Sequence, residues 1–223
     1  MRLTGCVLLL LNMLVFFTTW LRWYIGIPAA VLLLFGLYKM SKNILPDEQV
    51  IKISRWAVLL LLALMLVWVL ISGIGGAFPQ KNDLHWRNAI FHDLINYSWP
   101  VRYADATDSS LAYYFAFWLV PAMVGKLGAA LFGSHAGWIA ANIACTVYCT
   151  AVLFVIMLLL ISYLKVTSFK RILLVSSVLI IFSGLDIIPF VLAQVGNPQI
   201  IIGEHIEWWN YLQYSSNSTQ LCW

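Results

Sequence analysis

The sequence predicts an all-α, polytopic membrane protein with about five transmembrane helices and two juxtamembrane helices on the outer face. Of its 223 residues, 62% are hydrophobic and only 10% are charged, and the mean hydropathy is +0.88. Apolar blocks of transmembrane length alternate with short polar segments. A soluble domain of this length cannot bury so much apolar surface, so the bilayer is the expected solvent.

Five apolar blocks are predicted to span the membrane, namely residues 3–21, 23–38, 56–78, 136–164 and 172–194. The first two form a hairpin, and no small-residue cleavage pattern follows the first block, so we interpret it as an uncleaved span. The chain then divides into two parts: residues 1–55, an N-terminal hairpin with its cytoplasmic loop, and residues 56–223, a second membrane module. The second module carries an outer loop at 79–110 and an outer segment at 196–223.

The stretch 111–132 is ambiguous, because it is long enough to span but contains a proline and a lysine. If it spans, Lys165, Lys170 and Arg171 lie outside; if it lies in the outer interface, they lie inside. We favour the second arrangement, because it places eight of the 13 lysine and arginine residues on the cytoplasmic side. These eight are Arg2, Lys39, Lys42, Lys52, Arg55, Lys165, Lys170 and Arg171. The N-terminus is then cytoplasmic, the candidate site loops are outside, and a bacterial plasma membrane is the expected location.

The charge pattern argues against a nucleic-acid partner, and the cysteine pattern argues against a disulfide framework. The formal charge is +4, but the basic residues are scattered between apolar blocks and form no patch. The four cysteines show no paired spacing, and Cys145 and Cys149 are expected to be small packing residues. The last residues have the character of an outer loop with no helix after it, so we expect the remainder of a longer chain to be missing.

Polar residues are densest between 80 and 102, where a helix is predicted to begin just after Asp83. Its apolar side is formed by Trp86, Ile90, Leu94 and Tyr97, widened by Phe91 and Ile95. Its polar side is formed by His85, Asn88, His92 and Asn96. Such a helix is expected to lie flat on the membrane surface, with Arg87 reaching towards lipid phosphates or a bound anion.

Asp83 has two interpretations. As a helix N-cap it would accept a backbone N–H of the first turn. As a carboxylate at the mouth of an outward cavity it would serve as a general base or a metal ligand. His85 completes a D-x-H pattern with it, and His92 and Asp93 lie further along the same helix, where they can converge with Asp83.

Asp186 lies about 21 Å along the fifth predicted span, well inside the hydrocarbon core. A carboxylate there costs on the order of 3 kcal/mol unless it is paired or hydrated, so such a residue usually marks a function. The structural alternative is a contact with Asn142 or Tyr148 on the fourth span.

The outer segment 196–223 contains a compact set of acidic and aromatic residues: Glu204, His205, Glu207, Trp208 and Trp209. Carboxylates beside indole rings are a common way to hold sugar rings, through hydroxyl hydrogen bonds and ring stacking. The alternative for the two tryptophans is an aromatic belt at the membrane interface, which accounts less well for the two glutamates.

A spanning helix, an outer loop with an early acidic residue, a surface helix and the segment YYFAFWLVPAMVGKLG together form a pattern that resembles the first module of the GT-C fold glycosyltransferases. The segments NDLHWRNAIFHDLINYSWPV, FSGLDIIP and HIEWWNYLQYSSNSTQLCW look like parts of large, poorly characterised bacterial membrane proteins related to that group. The resemblance covers residues 56–223. It implies a GT-C-like fold and the transfer of a sugar from a polyprenyl-phosphate carrier on the outer side of the membrane.

By this resemblance, Asp83 corresponds to the catalytic aspartate and would deprotonate the acceptor hydroxyl, while Arg87, Arg102 or Lys126 binds the phosphate leaving group. The sequence has no plain D-x-D motif, so a divalent metal such as Mg²⁺ or Mn²⁺ is left open as a cofactor. The candidate catalytic residues are Asp83, His85 and Asp93. The candidate substrate-binding residues are Arg87, Asn88, His92, Arg102, Lys126, Asp186, Glu204, His205, Glu207, Trp208 and Trp209.

The expected function is therefore a membrane glycosyltransferase, or its N-terminal half, whose partners are membrane lipid and a polyprenyl-phosphate-linked sugar. The alternative is a non-catalytic membrane component that binds or moves a lipid-linked or polymeric precursor, with Asp186 and Lys126 lining its path. A transporter would carry several ionisable residues at the midplane and an internal repeat. The sequence has one such residue and no repeat, so we rank the enzyme first.

Overall fold

A computed structural model describes residues 2–43, 53–78, 80, 82–103 and 109–181. These residues form seven α-helices and one short antiparallel β-hairpin. The helices are α1 (Arg2–Thr19), α2 (Trp23–Asn43), α3 (Arg55–Ile71), α4 (Asn82–Asn96), α5 (Leu119–Phe132), α6 (Ser134–Tyr163) and α7 (Phe169–Ile181). The hairpin pairs β1 (Arg102–Tyr103) with β2 (Ser109–Ser110). The prediction of a helical protein is confirmed, with this hairpin as an addition.

Two of the described helices are long and apolar enough to cross a membrane: Trp23–Lys42, within α2, and Ser134–Tyr163, which is α6. Three shorter apolar helical stretches coincide with other apolar segments of the sequence, namely Leu3–Thr19, Arg55–Ile71 and Ala116–Phe132. Helices therefore occur in all five predicted spans, whereas a crossing by each of the five stays a prediction. The second half of the fifth predicted span lies outside the described residues.

The centre of the molecule is the contact between α3 and α6. Buried side chains of α3, such as Met65 and Val69, pack into one apolar core with the small and flexible side chains of α6. Cys145 and Cys149 are buried in this core and form no disulfide, as expected for small packing residues. Past the end of α3, the tight turn at Gly75 has a positive φ of 81° and lies directly against Thr146, where a side chain would not fit.

Helices α5 and α6 form an antiparallel hairpin joined at Gly133, whose φ of 92° suits glycine. Their contact, which we call the α5–α6 seam, is made by small residues: Gly125 faces Ala141, Gly128 faces Ala140, and Ala129 faces Gly137. A Cβ added to Gly137 would lie 2.6 Å from the Ala129 Cβ and 2.7 Å from the Gly125 carbonyl oxygen. The two backbones therefore approach as closely as small-residue helix pairs in membranes do.

The seam positions the helical part of residues 111–132. Helix α5 has 14 residues and is about 21 Å long. It runs antiparallel along the first half of α6, and its placement relative to a membrane stays a prediction. Its amino end lies midway along α1 and α6, where the Val120 N–H donates to the Asn12 side chain (3.4 Å) and Asn12 donates to the Tyr148 hydroxyl (3.0 Å).

The two ends of the helix bundle differ in charge. At one end, which we call the basic end, α1, α3 and α7 begin and α2 and α6 finish, since Gly5, Met40 and Leu159 line one cleft there. The described basic residues at this end are Lys39, Lys42, Arg55, Lys165, Lys170 and Arg171. The opposite end, which we call the α4 end, carries α4, the β-hairpin and the turn between α1 and α2, where Trp20 contacts Trp99. This grouping is the one that the favoured topology requires.

Candidate functional site

Helix α4 packs across the α5–α6 hairpin through part of its predicted apolar side, which supplies Phe91, Leu94 and Ile95. Its buried residues are Leu84, Phe91, Leu94 and Ile95. Phe91 contacts the Trp138 ring at 5.7 Å between centroids, and Ile95 lies beside Gly125. Trp86 and Tyr97 of the same side are 75% and 50% exposed, so they lie outside the contact with the α5–α6 hairpin. The helical period therefore predicted most of the buried face, and contact of Trp86 and Tyr97 with the membrane surface stays a prediction.

The start of α4 is fastened to the end of α3 by side-chain amides. Gln80 donates through Nε2 to the Gly73 carbonyl oxygen at 2.7 Å, and Asn88 donates through Nδ2 to Gln80 Oε1. Asn88 is half-buried, whereas the sequence placed it on the outer polar side. In the structure this candidate substrate-binding residue therefore holds α4 in place.

Arg87 lies against a pair of tyrosines from the loop before α5. Its guanidinium carbon is 5.7 Å from the centre of the Tyr114 ring, and its side chain hydrogen-bonds Tyr113. The two phenol rings stack at 4.0 Å between centroids, and the Tyr113 hydroxyl donates to the Tyr114 oxygen at 2.7 Å. That hydrogen bond raises the pKa of Tyr113, burial adds to the rise, and the Arg87 charge opposes it. We call Arg87, Tyr113 and Tyr114 the Arg87–tyrosine site.

This site faces outwards. Tyr113 and Tyr114 are exposed and Arg87 is half-buried, so the guanidinium is held at a fixed position within reach of solvent. Residue 83 lies one turn before Arg87 on the same helix; the structure describes its backbone in the first turn of α4 but not its side chain. Because α4 begins at Asn82 and not just after Asp83, Asp83 is a first-turn residue and not the N-cap. The role of its carboxylate as a chemical group stays a prediction.

Asp93 is held by the β-hairpin. The Tyr103 hydroxyl donates to Asp93 Oδ2 at 2.7 Å, and Tyr103 also contacts the Tyr97 ring edge-on at 6.4 Å between centroids. Burial, followed by the hydrogen bond to the Asp93 carboxylate and its charge, raises the pKa of Tyr103 from 10.0 to about 12. The carboxylate that the sequence proposed as catalytic therefore anchors β1 to α4.

Lys126 of α5 closes the other end of α4. Its ammonium donates to the Tyr97 carbonyl oxygen and lies 5.2 Å from the centre of the Trp99 ring. Trp99 in turn donates through Nε1 to the Leu94 carbonyl oxygen at 2.8 Å. Burial lowers the pKa of Lys126. These contacts join the carboxyl end of α4 to α5, beside the Asp93–Tyr103 pair.

The remaining described candidates lie on the exposed side of α4 and β1. His85, His92 and Arg102 are all exposed. The Asn96 amide donates to the His92 carbonyl oxygen at 2.9 Å and lies 3.1 Å from His92 Nε2. Among the described side chains, no group of three His, Cys, Asp or Glu is placed to hold a metal ion.

The structure separates the described candidates into two groups along α4. His85, Arg87 and Asn88 lie in its first half; His92, Asp93, Arg102 and Lys126 lie at or beyond its second half. Six further candidates lie outside the described residues: Asp186, Glu204, His205, Glu207, Trp208 and Trp209. Both partners suggested for Asp186 have other contacts, since Asn142 donates to the Trp138 carbonyl oxygen and Tyr148 to that of Leu8.

Sequence reasoning did not single out Tyr113, Tyr114, Tyr103 or Asn12. The adjacent tyrosines follow the polar turn before α5, so their position between a polar loop and an apolar helix was an available signal. Asn12 is the only amide side chain within α1, and a polar residue inside an apolar helix is itself an indication of a helix–helix contact.

Comparisons of the chain with protein-family models, with curated proteins and with solved structures found no match. Function is therefore inferred from the residues at the α4 end and from their position relative to the apolar helices.

Proposed function

We propose that α1, α2, α3, α6 and α7 lie in a bilayer, with the basic end in the cytoplasm and the α4 end outside. Large apolar side chains point outwards along these helices, including Leu9 at 61%, Leu32 at 70% and Leu174 at 63% exposure. Water would penalise such a surface, whereas lipid would not. The collection of lysine and arginine at one end agrees with the positive-inside rule.

Within this arrangement we propose a glycosyltransferase with a GT-C-like architecture that takes its sugar from a polyprenyl-phosphate carrier. The observation that carries the proposal is the Arg87–tyrosine site at the outer end of the apolar helices. A guanidinium is a strong donor to phosphate oxygens, and exposed phenol rings offer both a stacking surface and hydroxyl groups to a sugar. A lipid-linked phosphate enters from the membrane at this level, so its chemistry suits this place.

The proposed reaction uses residue 83, one turn away on α4. Asp83 takes the proton of the acceptor hydroxyl while the acceptor oxygen forms a bond to the anomeric carbon. The bond between that carbon and the phosphate oxygen breaks, and the polyprenyl phosphate leaves with the electron pair. Arg87 stabilises the negative charge that develops on the phosphate. Asp93 and Lys126 are assigned to holding α4, because both already have partners in the structure.

The test is sugar transfer by membranes that carry the protein, supplied with labelled polyprenyl-phosphate sugars. We expect Asp83→Asn to reduce transfer by about a hundredfold or more, the usual loss when a general base is removed. Arg87→Lys keeps the charge but loses the planar fork, so transfer is expected to fall by a smaller factor.

Asp93→Asn is the matched control, because it makes the same chemical change on the same helix. It is expected to leave most of the transfer activity. Transfer that survives in Asp83→Asn at unchanged expression would remove Asp83 from the reaction. If neither wild type nor variants transfer any of several sugars, the non-catalytic precursor-binding alternative replaces the enzyme.

A further inference from the structure

Helices α1 and α2 contact closely at their turn and separate towards the basic end. Near the turn, Gly26 lies so close to the Phe17 carbonyl oxygen that no side chain would fit. At the other end the space between α1, α2 and α6 is a cleft of about 370 Å³, lined by Gly5, Cys6 and Met40 among others. The hairpin is therefore shaped like a wedge that opens towards the basic end.

The cleft is lined by apolar side chains, glycine and a cysteine. Helices α1 and α6 supply most of the lining, including Leu9 and Val155, and α2 contributes Met40. Its volume lies in the range of about 300–1,000 Å³ that is common for small-molecule sites. An empty cleft of this size would lose dispersion contacts along its whole lining, so a flexible hydrocarbon chain from the surrounding bilayer is the natural occupant.

Basic residues gather at the same end of the bundle as the cleft, and they indicate the headgroup of its occupant. Lys39 and Lys42 flank Met40, the α2 residue that lines the cleft, in the last turns of that helix. Both ammonium groups are exposed, and each lies over an aromatic ring of its own helix, 5.5 Å from Phe35 and 4.7 Å from Tyr38. No acidic side chain among the described residues lies at this end. Positive charge beside an apolar cleft matches an anionic headgroup attached to an acyl chain.

We propose that this cleft is a binding site for an anionic glycerophospholipid of the cytoplasmic leaflet, with one acyl chain between α1, α2 and α6 and the headgroup near Lys39 and Lys42. The inference depends on the membrane placement proposed above but not on the sugar-transfer chemistry. Its occupant would fill the wedge and hold α2, whose side chains are mostly exposed, against α1 and α6.

The test is native mass spectrometry of the purified protein in detergent, after incubation with phosphatidylglycerol or phosphatidylcholine. We expect one retained phosphatidylglycerol per chain and several-fold less phosphatidylcholine. In Gly5→Leu the new side chain would enter the cleft, since a Cβ there already lies 3.3 Å from Val155 Cγ1 and 3.4 Å from Leu159 Cδ1. Retention is expected to be lost in this variant. Gly36→Leu, at a position with nothing within 4 Å, is the matched control and should retain the lipid.

A second pair of variants tests the headgroup. Replacing Lys39 and Lys42 by glutamine is expected to weaken phosphatidylglycerol binding by about fivefold for each lysine. Replacing Lys170 and Arg171 by glutamine removes the same charge at the same end, but on α7, which packs against α3 and α6. This control is expected to bind normally.

The proposal is overturned if Gly5→Leu retains as much lipid as wild type, if both double variants lose it equally, or if phosphatidylcholine binds as well as phosphatidylglycerol. Displacement of the phospholipid by equimolar polyprenyl phosphate would identify a carrier-lipid site instead. Sugar transfer is not part of these readouts, so failure here and failure of the proposed enzyme are separate results.

Discussion

Helix α4 contacts the α5–α6 seam through Ile95 and carries Arg87 of the Arg87–tyrosine site, yet the seam and the site are held together in different ways. The seam consists of glycine and alanine backbones in direct contact. The site consists of half-buried or exposed polar and aromatic side chains joined by hydrogen bonds and ring contacts. The seam therefore depends on small side chains that let the two backbones approach, whereas the site depends on particular functional groups.

This difference separates stability from chemistry. Adding an atom between two closely packed backbones causes strain, because the surrounding atoms have little room to move. Exposed side chains on α4 can be replaced at little cost to folding, so they are free to be selected for binding. Substitutions in the seam should therefore affect folding, and substitutions at the α4 end should affect titration or activity more than folding.

The largest effect is expected for Gly137→Ala. Its methyl group would lie within 2.7 Å of the Gly125 backbone and closer still to Ala129, so the helices must separate, at a cost of about 1–3 kcal/mol or misassembly. Gly128→Ala meets its nearest neighbour at 3.1 Å and should cost less. Thermal unfolding in detergent, followed by circular dichroism, measures the order.

Gly36→Ala is the control for that series. It has open space around it, and replacing a mid-helix glycine by alanine usually stabilises by about 0.5–1 kcal/mol. If all three variants unfolded at the same temperature, the seam would not be the close contact described here.

An intermediate effect is expected for Asn12→Leu. This change leaves the Val120 N–H and the Tyr148 hydroxyl without the Asn12 amide. Interhelical hydrogen bonds in membranes contribute about 0.6 kcal/mol on average and up to about 1.7, so we expect a loss in that range. A double-mutant cycle with Tyr148→Phe measures the coupling. Asn142→Leu is the matched control, since among the described residues that amide bonds only within its own helix; an equal loss in both would contradict a special role for Asn12.

The sequence alone predicted the features of the fold that depend on composition and on hydrophobic periodicity. The apolar blocks indicated helices where α1, α2, α3, α6 and α7 occur, and the lysine and arginine count predicted which helix ends lie together. Hydrophobic periodicity is local and charge counts are additive, so both can be evaluated without knowledge of the tertiary structure. The contact of α5 with α6 was not predicted, because it depends on Gly125, Gly128 and Gly137, whose role appears only when two helices meet.

The site was predicted less completely for the same reason. Arg87 was identified because a charge interrupts an apolar pattern, but its tyrosine partners come from a loop more than twenty residues away in sequence, and nothing in α4 indicates them. Asp93 and Asn88 were taken as free polar groups, although each has a partner outside α4. Periodicity predicts on which side of a helix a side chain lies. Whether that side chain is available for binding depends on its tertiary contacts.

The smallest effect is expected for Tyr103→Phe, which removes a hydroxyl group at the α4 end. At neutral pH the loss of one partly exposed hydrogen bond should change unfolding little. The pKa of Tyr103 is raised from 10.0 to about 12, so folding favours its neutral form. The stabilisation from this group is then complete below pH 10 and disappears as the pH rises through 12.

Phenolate absorbance, recorded against pH for wild type and Tyr103→Phe, isolates this one residue. The difference between the two titrations should have its midpoint near 12, well above that of an ordinary tyrosine. Asp93→Asn should lower the midpoint only in part, because burial contributes more to the shift than the carboxylate does. A difference curve centred at 10 would mean that Tyr103 and Asp93 do not meet in solution, and Asp93 would then be available again as a candidate for the chemistry proposed for Asp83.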